Sequence, residues 1–257
     1  MRTSVKKYIL CFLGALAFFL SSSSLVRAQL SGLSVSAGFA NAHILGDNLA
    51  AKPFRNPFSD DKFFGGSLDG GHPGLRMQMN FALDDGGIFE IPISFAYIFY
   101  MGREKEPISS LSDIKLRHDI YVPSFSLGFN YSFLRFTAFA RMAKIYASLE
   151  SRATYVTQGT FESIQNYVEF NEVEKLSHKT KEAAWRFGGA LRLGLNGELN
   201  HPWYLDINAG VAAINLIGKD DSRGELLTPH KKTANYTETK ESTVYTYRFY
   251  LMIQYKL

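Results

Sequence analysis

Six charged side chains stand at alternating positions in strand-like segments whose other residues on the same side are mostly small or polar. They are Arg76, Glu90, Arg186, Arg192, Asp206 and Arg248. If these groups fold into an interior they must be paired, because an isolated buried charge is costly. We expect Arg192 to meet Asp206 across a turn, and Glu90 to neutralise Arg248 or Arg186. Such pairs would either hold the interior together or line a path for protons or small ions.

The sequence lacks the usual patterns of catalytic and metal sites. Its six histidines are scattered without ligand spacing, at positions His43, His72, His118, His178, His201 and His230. There is no Gly-x-Ser-x-Gly motif, and the single cysteine is Cys11. Neither His118-Asp119-Ile120 nor His178-Lys179-Thr180 provides the His-x-Ser pair expected of a barrel-type lipid A deacylase. We therefore predict no enzymatic activity, no cofactor and no metal.

The first 28 residues have the layout of a cleaved secretory signal peptide. A basic start is followed by the apolar run Tyr8 to Leu20 and by small residues ending at Ala28. The apolar run reaches about 20 Å as a helix, short of the roughly 30 Å hydrocarbon core, which argues against the alternative of a membrane anchor. We expect residues 1–28 to be a leader cleaved after Ala28, and residues 29–257 to form one domain.

The net charge of +4 comes entirely from this leader. Residues 1–28 hold four basic side chains and no acid, which leaves 24 basic residues against the 24 acidic ones. A neutral remainder gives no indication of a nucleic-acid partner. The segment 29–257 has no cysteine, so disulfides do not stabilise it in an oxidising compartment.

Hydrophobicity along residues 29–257 alternates with a period of two, which predicts β-strands with one apolar face. The clearest run is at the carboxyl end, where every second residue is apolar or aromatic: Tyr245, Tyr247, Phe249, Leu251, Ile253, Tyr255 and Leu257. We count eight such segments. The two weakest lie around residues 33–41 and 136–146.

The connections between these segments are short and long in turn. Three short turns are expected at residues 85–87, 132–135 and 196–202, and four long loops at 42–73, 102–114, 147–183 and 215–243. Alternating short turns and long loops are typical of an up-and-down transmembrane β-barrel with an even number of strands. The sequence predicts an all-β protein, an eight-stranded antiparallel transmembrane barrel with three periplasmic turns and four extracellular loops.

The chemistry of the two strand faces indicates which one meets lipid. The apolar face carries large residues and almost no charge, whereas the other face combines small residues with the six charges above. The narrow interior of an eight-stranded barrel suits the second set, so we expect the large apolar face to point outward. Aromatic residues near strand ends could then form the interfacial girdles, namely Tyr97, Tyr121, Tyr131, Trp185, Trp203 and Tyr245. A soluble lipocalin-like barrel or a two-sheet sandwich would be the alternative.

On this architecture the chain resembles the eight-stranded outer-membrane barrels of the OmpA-barrel, OmpX and OmpW-like families. The most specific element is the terminal pattern Tyr247-x-Phe249-x-Leu251-x-Ile253-x-Tyr255-x-Leu257. It is similar to the β-signal read by the outer-membrane assembly machinery, although many members end in phenylalanine where this chain has Leu257. The resemblance implies location in the bacterial outer membrane, lipid contact, and help from periplasmic chaperones and the assembly machinery.

The long loops carry the remaining functional candidates. Loop one contains the phenylalanines Phe54, Phe58, Phe63 and Phe64, and the third loop has enough alternation to extend strands five and six above the membrane. Aromatic loops on a rigid barrel either bind a surface partner or pack together as a cap. The sequence favours a non-enzymatic structural or adhesin-like protein. A narrow channel for small or apolar molecules, as in OmpW-like barrels, and a secreted lipid binder remain the alternatives.

Overall fold

The computed structural model describes residues 32–54, 65–109, 112–138, 140–167, 172–229 and 240–257. Its ten strands are β1 (Leu33–Leu45), β2 (His72–Ala82), β3 (Phe89–Ser109), β4 (Ser112–Ala138), β5 (Arg141–Val156), β6 (Thr160–Tyr167), β7 (Glu172–Lys179), β8 (Ala184–Asn200), β9 (Trp203–Ile217) and β10 (Tyr245–Lys256). Two short 3-10 turns, Leu49–Ala51 and Asp221–Arg223, lie between strands. Within the described ranges, no helix has the length and apolar character needed to cross a membrane. The expected leader, residues 1–28, lies outside the described residues.

Eight of the ten strands form a closed antiparallel ring. Neighbours pair in the order β1–β2–β3–β4–β5–β8–β9–β10, and β10 pairs back to β1 from Ser34↔Lys256 to Leu45↔Tyr245. Closure pairs the strand edges that an open sheet would expose, as a chain surrounded by hydrocarbon requires. The predicted eight-stranded antiparallel barrel is confirmed.

Short turns gather at one end of the ring, here called the turn end, and most of the longer connections lie at the other, called the loop end. The long loop predicted at 102–114 is wrong, because β3 and β4 stay paired out to Ser109↔Ser112. The turn between β2 and β3 places Gly87 at φ 60°, a conformation that glycine adopts without strain. At the same end, β8 and β9 are joined through His201 and Pro202.

The predicted turn at residues 132–135 is wrong, because β4 continues to Ala138. A register shift between Ser132 and Leu134 lets the consecutive residues Phe133 and Leu134 both face outward. That bulge interrupts the two-residue alternation and imitates a strand end. The fifth barrel strand accordingly spans Arg141–Val156, and not the predicted 136–146.

Apolar and charged residues separate cleanly between the outside and the inside of the ring. Phe39 on β1 and Leu193 on β8 are 71% and 62% exposed, whereas Arg76 and Arg192 are 1% and 3% exposed. On β10 the alternation of exposed and buried residues runs from Tyr245 to Gln254. The apolar face therefore points outward. This excludes a lipocalin-like barrel, whose apolar residues face inward.

The hairpin β6–β7 continues the barrel wall beyond the ring. β6 pairs with the first part of β4, from Ser112↔Tyr167 to Asp119↔Thr160, just beyond the part of β4 that pairs with β5. β7 pairs with β6 as β8 pairs with β5. The third loop thus extends strands five and six, as its alternation predicts. With the long ends of β3 and β4 it forms a four-stranded sheet at the loop end.

Candidate functional site

Glu150 lies at the centre of the barrel interior and accepts hydrogen bonds from three arginines. Its Oε1 receives Nη2 of Arg76 at 2.6 Å and Nη2 of Arg192, and its Oε2 receives Nη2 of Arg152 at 2.7 Å. These four side chains are at most 2% exposed. Because Arg76 comes from β2, Arg192 from β8, and Glu150 and Arg152 from β5, the cluster spans the interior from wall to wall.

Tyr250 of β10 packs into the same cluster. Its hydroxyl accepts a hydrogen bond from Nη2 of Arg152 at 3.2 Å, and the guanidinium carbons of Arg76 and Arg192 lie 4.6 and 5.6 Å from its ring centre. An aromatic face attracts cations, and the attraction is stronger where water is excluded. The tyrosine therefore holds together arginines that would otherwise repel each other.

The interior carries more positive than negative charge around this cluster. Arg76, Arg152, Arg192 and the neighbouring Arg248 are buried there, and the acids of the same region, within the part of the chain that the structure describes, are Glu150 and Asp206. Each arginine also retains one buried nitrogen without a hydrogen-bond partner among the described residues: Nη1 of Arg76, Arg152 and Arg248, and Nε of Arg192.

Amides and hydroxyls connect the cluster to the turn end. Gln78 accepts from Arg76 and donates to Asn80 at 2.6 Å, and Asn80 donates to Ser34. Ser34 also accepts from Gln254, which in turn accepts from Asn196. Hydrogen bonds therefore run across β2, β1, β10 and β8 without leaving the interior.

Asp206 does not form the expected ion pair with Arg192. The strand register sets Asp206 opposite Asn196 and Arg192 opposite Gly210, four residues further along β9. Asn208 bridges the gap, since it accepts from Arg192 at 2.7 Å and donates to Asp206 at 2.6 Å. The hydroxyl of Tyr146 donates to the same carboxylate at 2.9 Å.

Glu90 pairs with neither Arg248 nor Arg186. It lies near the turn end and accepts from Nζ of Lys144 on β5. Arg186 lies near the loop end, where it binds both carboxylate oxygens of Glu241 at 2.8 and 2.6 Å. Arg248 donates from Nε to Thr246 on its own strand. The expected partners are separated along the barrel axis, which face alternation alone does not reveal.

An apolar layer fills the interior between the arginines and the loop end. Strand residues and loop residues both contribute. The buried members include Ile98, Tyr100, Ile120, Val122, Val156, Ile214 and Val244 from the wall, with Ala50, Leu68, Leu226 and Leu227 from loops one and four. Hydrogen bonds join the two loops, because Asn48 and Glu225 both bind Ser242. Lys181 adds contacts to the backbone oxygen of Glu225 and to Thr228.

Aromatic residues ring the outer surface at both ends. At the turn end the rings of Trp203 and Tyr255 lie 4.9 Å apart, and at the loop end those of Tyr155 and Trp185 lie 5.0 Å apart. Between them the exposed surface is a band of large apolar side chains around a charged interior. The fold is that of an eight-stranded outer-membrane barrel.

The sequence of this barrel matches no protein-family model and no curated protein. Among solved structures it is similar to Ail, the attachment invasion locus protein of Yersinia pestis, at 15% identity and a TM-score of 0.37, covering 88% of this chain and 98% of that one. A second structure of Ail, in complex with the heparin analogue sucrose octasulfate, matches at 14% identity and a TM-score of 0.38, covering 87% and 96%. Neisserial surface protein A matches at 11% identity and a TM-score of 0.40, covering 88% and 98%. The closed ring of paired strands and the outward apolar face define the barrel in this chain itself.

Phe54 is buried, which for this residue favours packing, the second of the two expected roles, over exposed recognition. It is 1% exposed, and its ring lies 5.3 Å from that of Phe161 on the hairpin and 6.3 Å from that of His118 on β4. Its backbone N–H donates to Glu104 on β3 at 2.7 Å. The other candidates, Phe58, Phe63 and Phe64, lie outside the described residues. Phe54 thus fastens loop one to the inner side of the projecting sheet.

The central residues Glu150, Arg152 and Tyr146 are absent from the sequence-derived set. Glu150 and Arg152 lie within residues 147–183, which the sequence pattern predicts to be the third long loop. The pattern misses the strand there because the outward neighbours Ser151 and Ala153 are too small to form an apolar face. The polar alternation Ser148, Glu150, Arg152 and Thr154 is the signal that could have found them. Among the described residues, no group of three or more histidine, cysteine, aspartate or glutamate side chains could hold a metal ion.

Proposed function

We propose that this chain is a non-enzymatic surface protein of the bacterial outer membrane that binds its partner through the sheet and loops at the loop end. The observation that carries the proposal is the contrast between the two ends of the molecule. From the arginine cluster to the loop end the interior is occupied by charged and apolar side chains, whereas a four-stranded sheet extends beyond the ring.

The filled interior supports binding over transport. Arg76 and Arg192 are in direct hydrogen-bond contact with Glu150, so no space for a solute lies between these side chains. A solute crossing the barrel would have to break both contacts. It would then have to displace the apolar layer around Ile98 and Leu227, both buried. Side chains of an eight-stranded barrel commonly fill its interior in this way.

The projecting sheet supports a binding role because its backbone is held by strand pairing. β3 and β4 pair from Phe89↔Tyr131 out to Ser109↔Ser112, and β6 and β7 pair along their whole lengths. A hydrogen-bonded platform presents side chains at fixed spacing and loses little conformational freedom on binding. Its outer strand β7 also offers an edge to which an extended partner segment could pair.

The proposal includes an export and assembly route. Residues 1–28 would act as the cleaved signal peptide, and the exposed row Tyr247, Phe249, Leu251 and Ile253, followed by Tyr255 and Leu257, would be read by the assembly machinery with periplasmic chaperones keeping the chain soluble. In this orientation the loop end faces outside the cell and the turn end faces the periplasm.

The test is to shorten the projecting hairpin. Residues 160–179 are replaced by an Asn-Gly turn, and cells displaying the intact or shortened barrel are compared for binding to host cells and to extracellular-matrix proteins. Binding should fall with the shortened barrel, while both proteins migrate faster on detergent gels before boiling than after. As the control, Asp85→Asn alters an exposed residue of a turn at the opposite end and should leave binding intact.

A narrow channel is the second candidate, because the buried arginine nitrogens without partners and a cavity of about 360 Å³ at the turn end, lined by Glu90 and Lys256, leave polar surface inside the barrel. Planar-bilayer recordings distinguish the two. The proposed function expects no discrete conductance from the intact protein. Steady unitary currents, together with unchanged cell binding after hairpin removal, would contradict the proposed binding function and support a channel.

A further inference from the structure

One face of the projecting sheet is strongly basic. Six cations lie on it in register, two on each of three strands, and all are exposed; we call this set the basic face, and it consists of Arg103, Lys105, Lys115, Arg117, Lys175 and Lys179. Among the described side chains the face holds two acids, Asp119 and Glu162, which pair with Arg103 at 2.6 Å and with Lys175 at 3.2 Å.

The central part of the basic face places like charges directly opposite each other. Arg103 pairs across the strands with Arg117, and Lys105 with Lys115. Like charges at opposed positions destabilise an antiparallel pair. A surface cleft of about 290 Å³ lies among these four residues, and Leu116 and Glu104 also line it. The Glu104 carboxylate accepts from the backbone N–H of Phe54. Lys115 and Arg117 form no ion pair with any described residue, so a negative group placed in the cleft would relieve the repulsion.

The basic face continues the lipid-facing surface of the barrel. Outward residues of β4 run from Leu127 through Phe125 and Tyr121 to Arg117 and Lys115, all at odd positions without a register shift. The rings of Tyr97, Phe99 and Tyr121, with centres 4.9 to 6.1 Å apart, mark the level where hydrocarbon ends.

Arg117 and Arg103 lie just above the polar region of the leaflet, near enough for their long side chains to extend down to the headgroups. Arg117 is four residues beyond Tyr121, a path of about 13 Å along a strand and about 9 Å in height at the usual tilt of a barrel strand. The polar region of a leaflet is itself roughly 5–8 Å thick. The charged ends of Arg117 and Arg103 can therefore meet headgroup phosphates from the side, without leaving the sheet.

We infer that the basic face binds the phosphate groups of anionic lipids in the leaflet at the loop end. This goes beyond the proposed function, because it assigns a lipid site to the outward side of the sheet, independently of any partner bound by the loops. Lysine and arginine side chains held at an anionic membrane surface each strengthen binding by about fivefold.

The test compares the intact barrel with Lys115→Gln/Arg117→Gln in phosphatidylcholine vesicles that contain either lipid A or lipid A from which phosphatase has removed the phosphates. Energy transfer from the protein to a labelled lipid A measures association. The double variant should bind the phosphorylated lipid about 25-fold more weakly and the dephosphorylated lipid equally. The matched control, Lys219→Gln/Lys240→Gln, removes two exposed cations from loop four and should bind like the intact barrel.

Urea unfolding provides a second measurement. The difference in stability between the intact barrel and the double variant should change sign with the lipid. In phosphatidylcholine alone the double variant should unfold at an equal or higher urea concentration than the intact barrel, because opposed cations are removed. With phosphorylated lipid A the intact barrel should be the more resistant one. Arg117→Lys, which keeps the charge, should behave as the intact barrel in both membranes.

Two outcomes would overturn the inference. One is equal weakening of lipid association by the loop-four control, which would mean that net charge and not this face is responsible. The other is lipid association that does not depend on the lipid phosphates, combined with binding of soluble polyphosphate that depends on Lys115 and Arg117. That combination would mean that the basic face binds a dissolved polyanion and not a lipid. Neither result bears on cell binding through the hairpin, so the proposed function is tested separately.

Discussion

The ring of Tyr146 lies against the backbone of Gly194, its partner across β5 and β8, so closely that a methyl group on Gly194 would come within 2.3 Å of the tyrosine Cζ. This contact directs the tyrosine hydroxyl to Asp206, to which it donates at 2.9 and 3.0 Å. Because Gly194 of β8 has no side chain, Tyr146 of β5 can reach across it and donate a hydrogen bond to Asp206 of β9.

Gly194→Ala should therefore destabilise the barrel by about 1–3 kcal/mol, because Tyr146 must move and Asp206 loses the hydrogen bond from the tyrosine hydroxyl, keeping the one from Asn208. Gly197→Ala on the same strand is the matched control, since nothing lies within 4 Å of a methyl group there. Urea unfolding in lipid vesicles measures both. Equal losses for the two variants would mean that the tyrosine contact is unimportant.

Glu150→Gln should cost about 3–5 kcal/mol of unfolding free energy, because three arginines would keep their charge without a buried counter-charge. Glu182→Gln changes an exposed carboxylate and should have little effect. Glu150→Gln combined with Arg152→Gln should recover part of the loss, since one bare cation is removed. A double variant that is less stable than the sum of the single variants would contradict the electrostatic explanation.

Phe54→Ala should free the projecting hairpin while the ring stays closed. Truncating a fully buried phenylalanine costs about 3–5 kcal/mol, and here the ring would no longer pack against Phe161 and His118. Amide hydrogen exchange in β6 and β7 should quicken, with exchange in β9 and β10 unchanged. As the control, Leu176→Ala truncates a side chain of the same hairpin, one that is 60% exposed. It should leave amide exchange unchanged both in β6 and β7 and in β9 and β10.

The turn between β2 and β3 should loosen in acid. The backbone N–H groups of Ile88 and Phe89 donate to the Asp84 carboxylate, at 3.0 and 2.7 Å, and hold its pKa below the ordinary value. A lowered pKa in the folded state means that the stabilisation is complete above the unfolded-state pKa of about 3.9 and is lost as the pH falls through the folded-state value. The exchange rates of the Ile88 and Phe89 amides, measured by NMR relative to their intrinsic rates at the same pH, should therefore rise below about pH 4. In Asp84→Asn this acid-dependent rise should be absent.

The architecture could be predicted from the sequence because lipid selects large apolar residues at every second position. Alternating runs such as Phe89 to Phe99, and the long alternation of β10, predict both the number of strands and which face of each strand points outward. The strand boundaries are harder to predict where local chemistry breaks that rule. Phe133 and Leu134 sit side by side at a bulge, and Ser151 and Ala153 face outward without the bulk that normally marks a lipid-facing position.

The pairing of the interior charges could not be predicted, although all six candidate residues lie inside the barrel. Alternation tells which side of the wall a residue occupies, but its height depends on the register between strands. Arg192 and Asp206 illustrate this, since the register brings Asn196, and not Arg192, opposite Asp206. The acid that does neutralise Arg192 is Glu150, on the other neighbouring strand.

Gln254 of the last strand donates to Ser34 of the first, while Glu150 of the fifth takes its arginines from the second and the eighth. Arg76 and Arg192 therefore reach the carboxylate of Glu150 when β2, β5 and β8 surround one interior. A half-inserted sheet would turn bare guanidinium groups toward hydrocarbon, at a cost that membranes rarely allow. We therefore expect insertion of this chain to be cooperative, with β2, β5 and β8 brought together before lipid surrounds the wall.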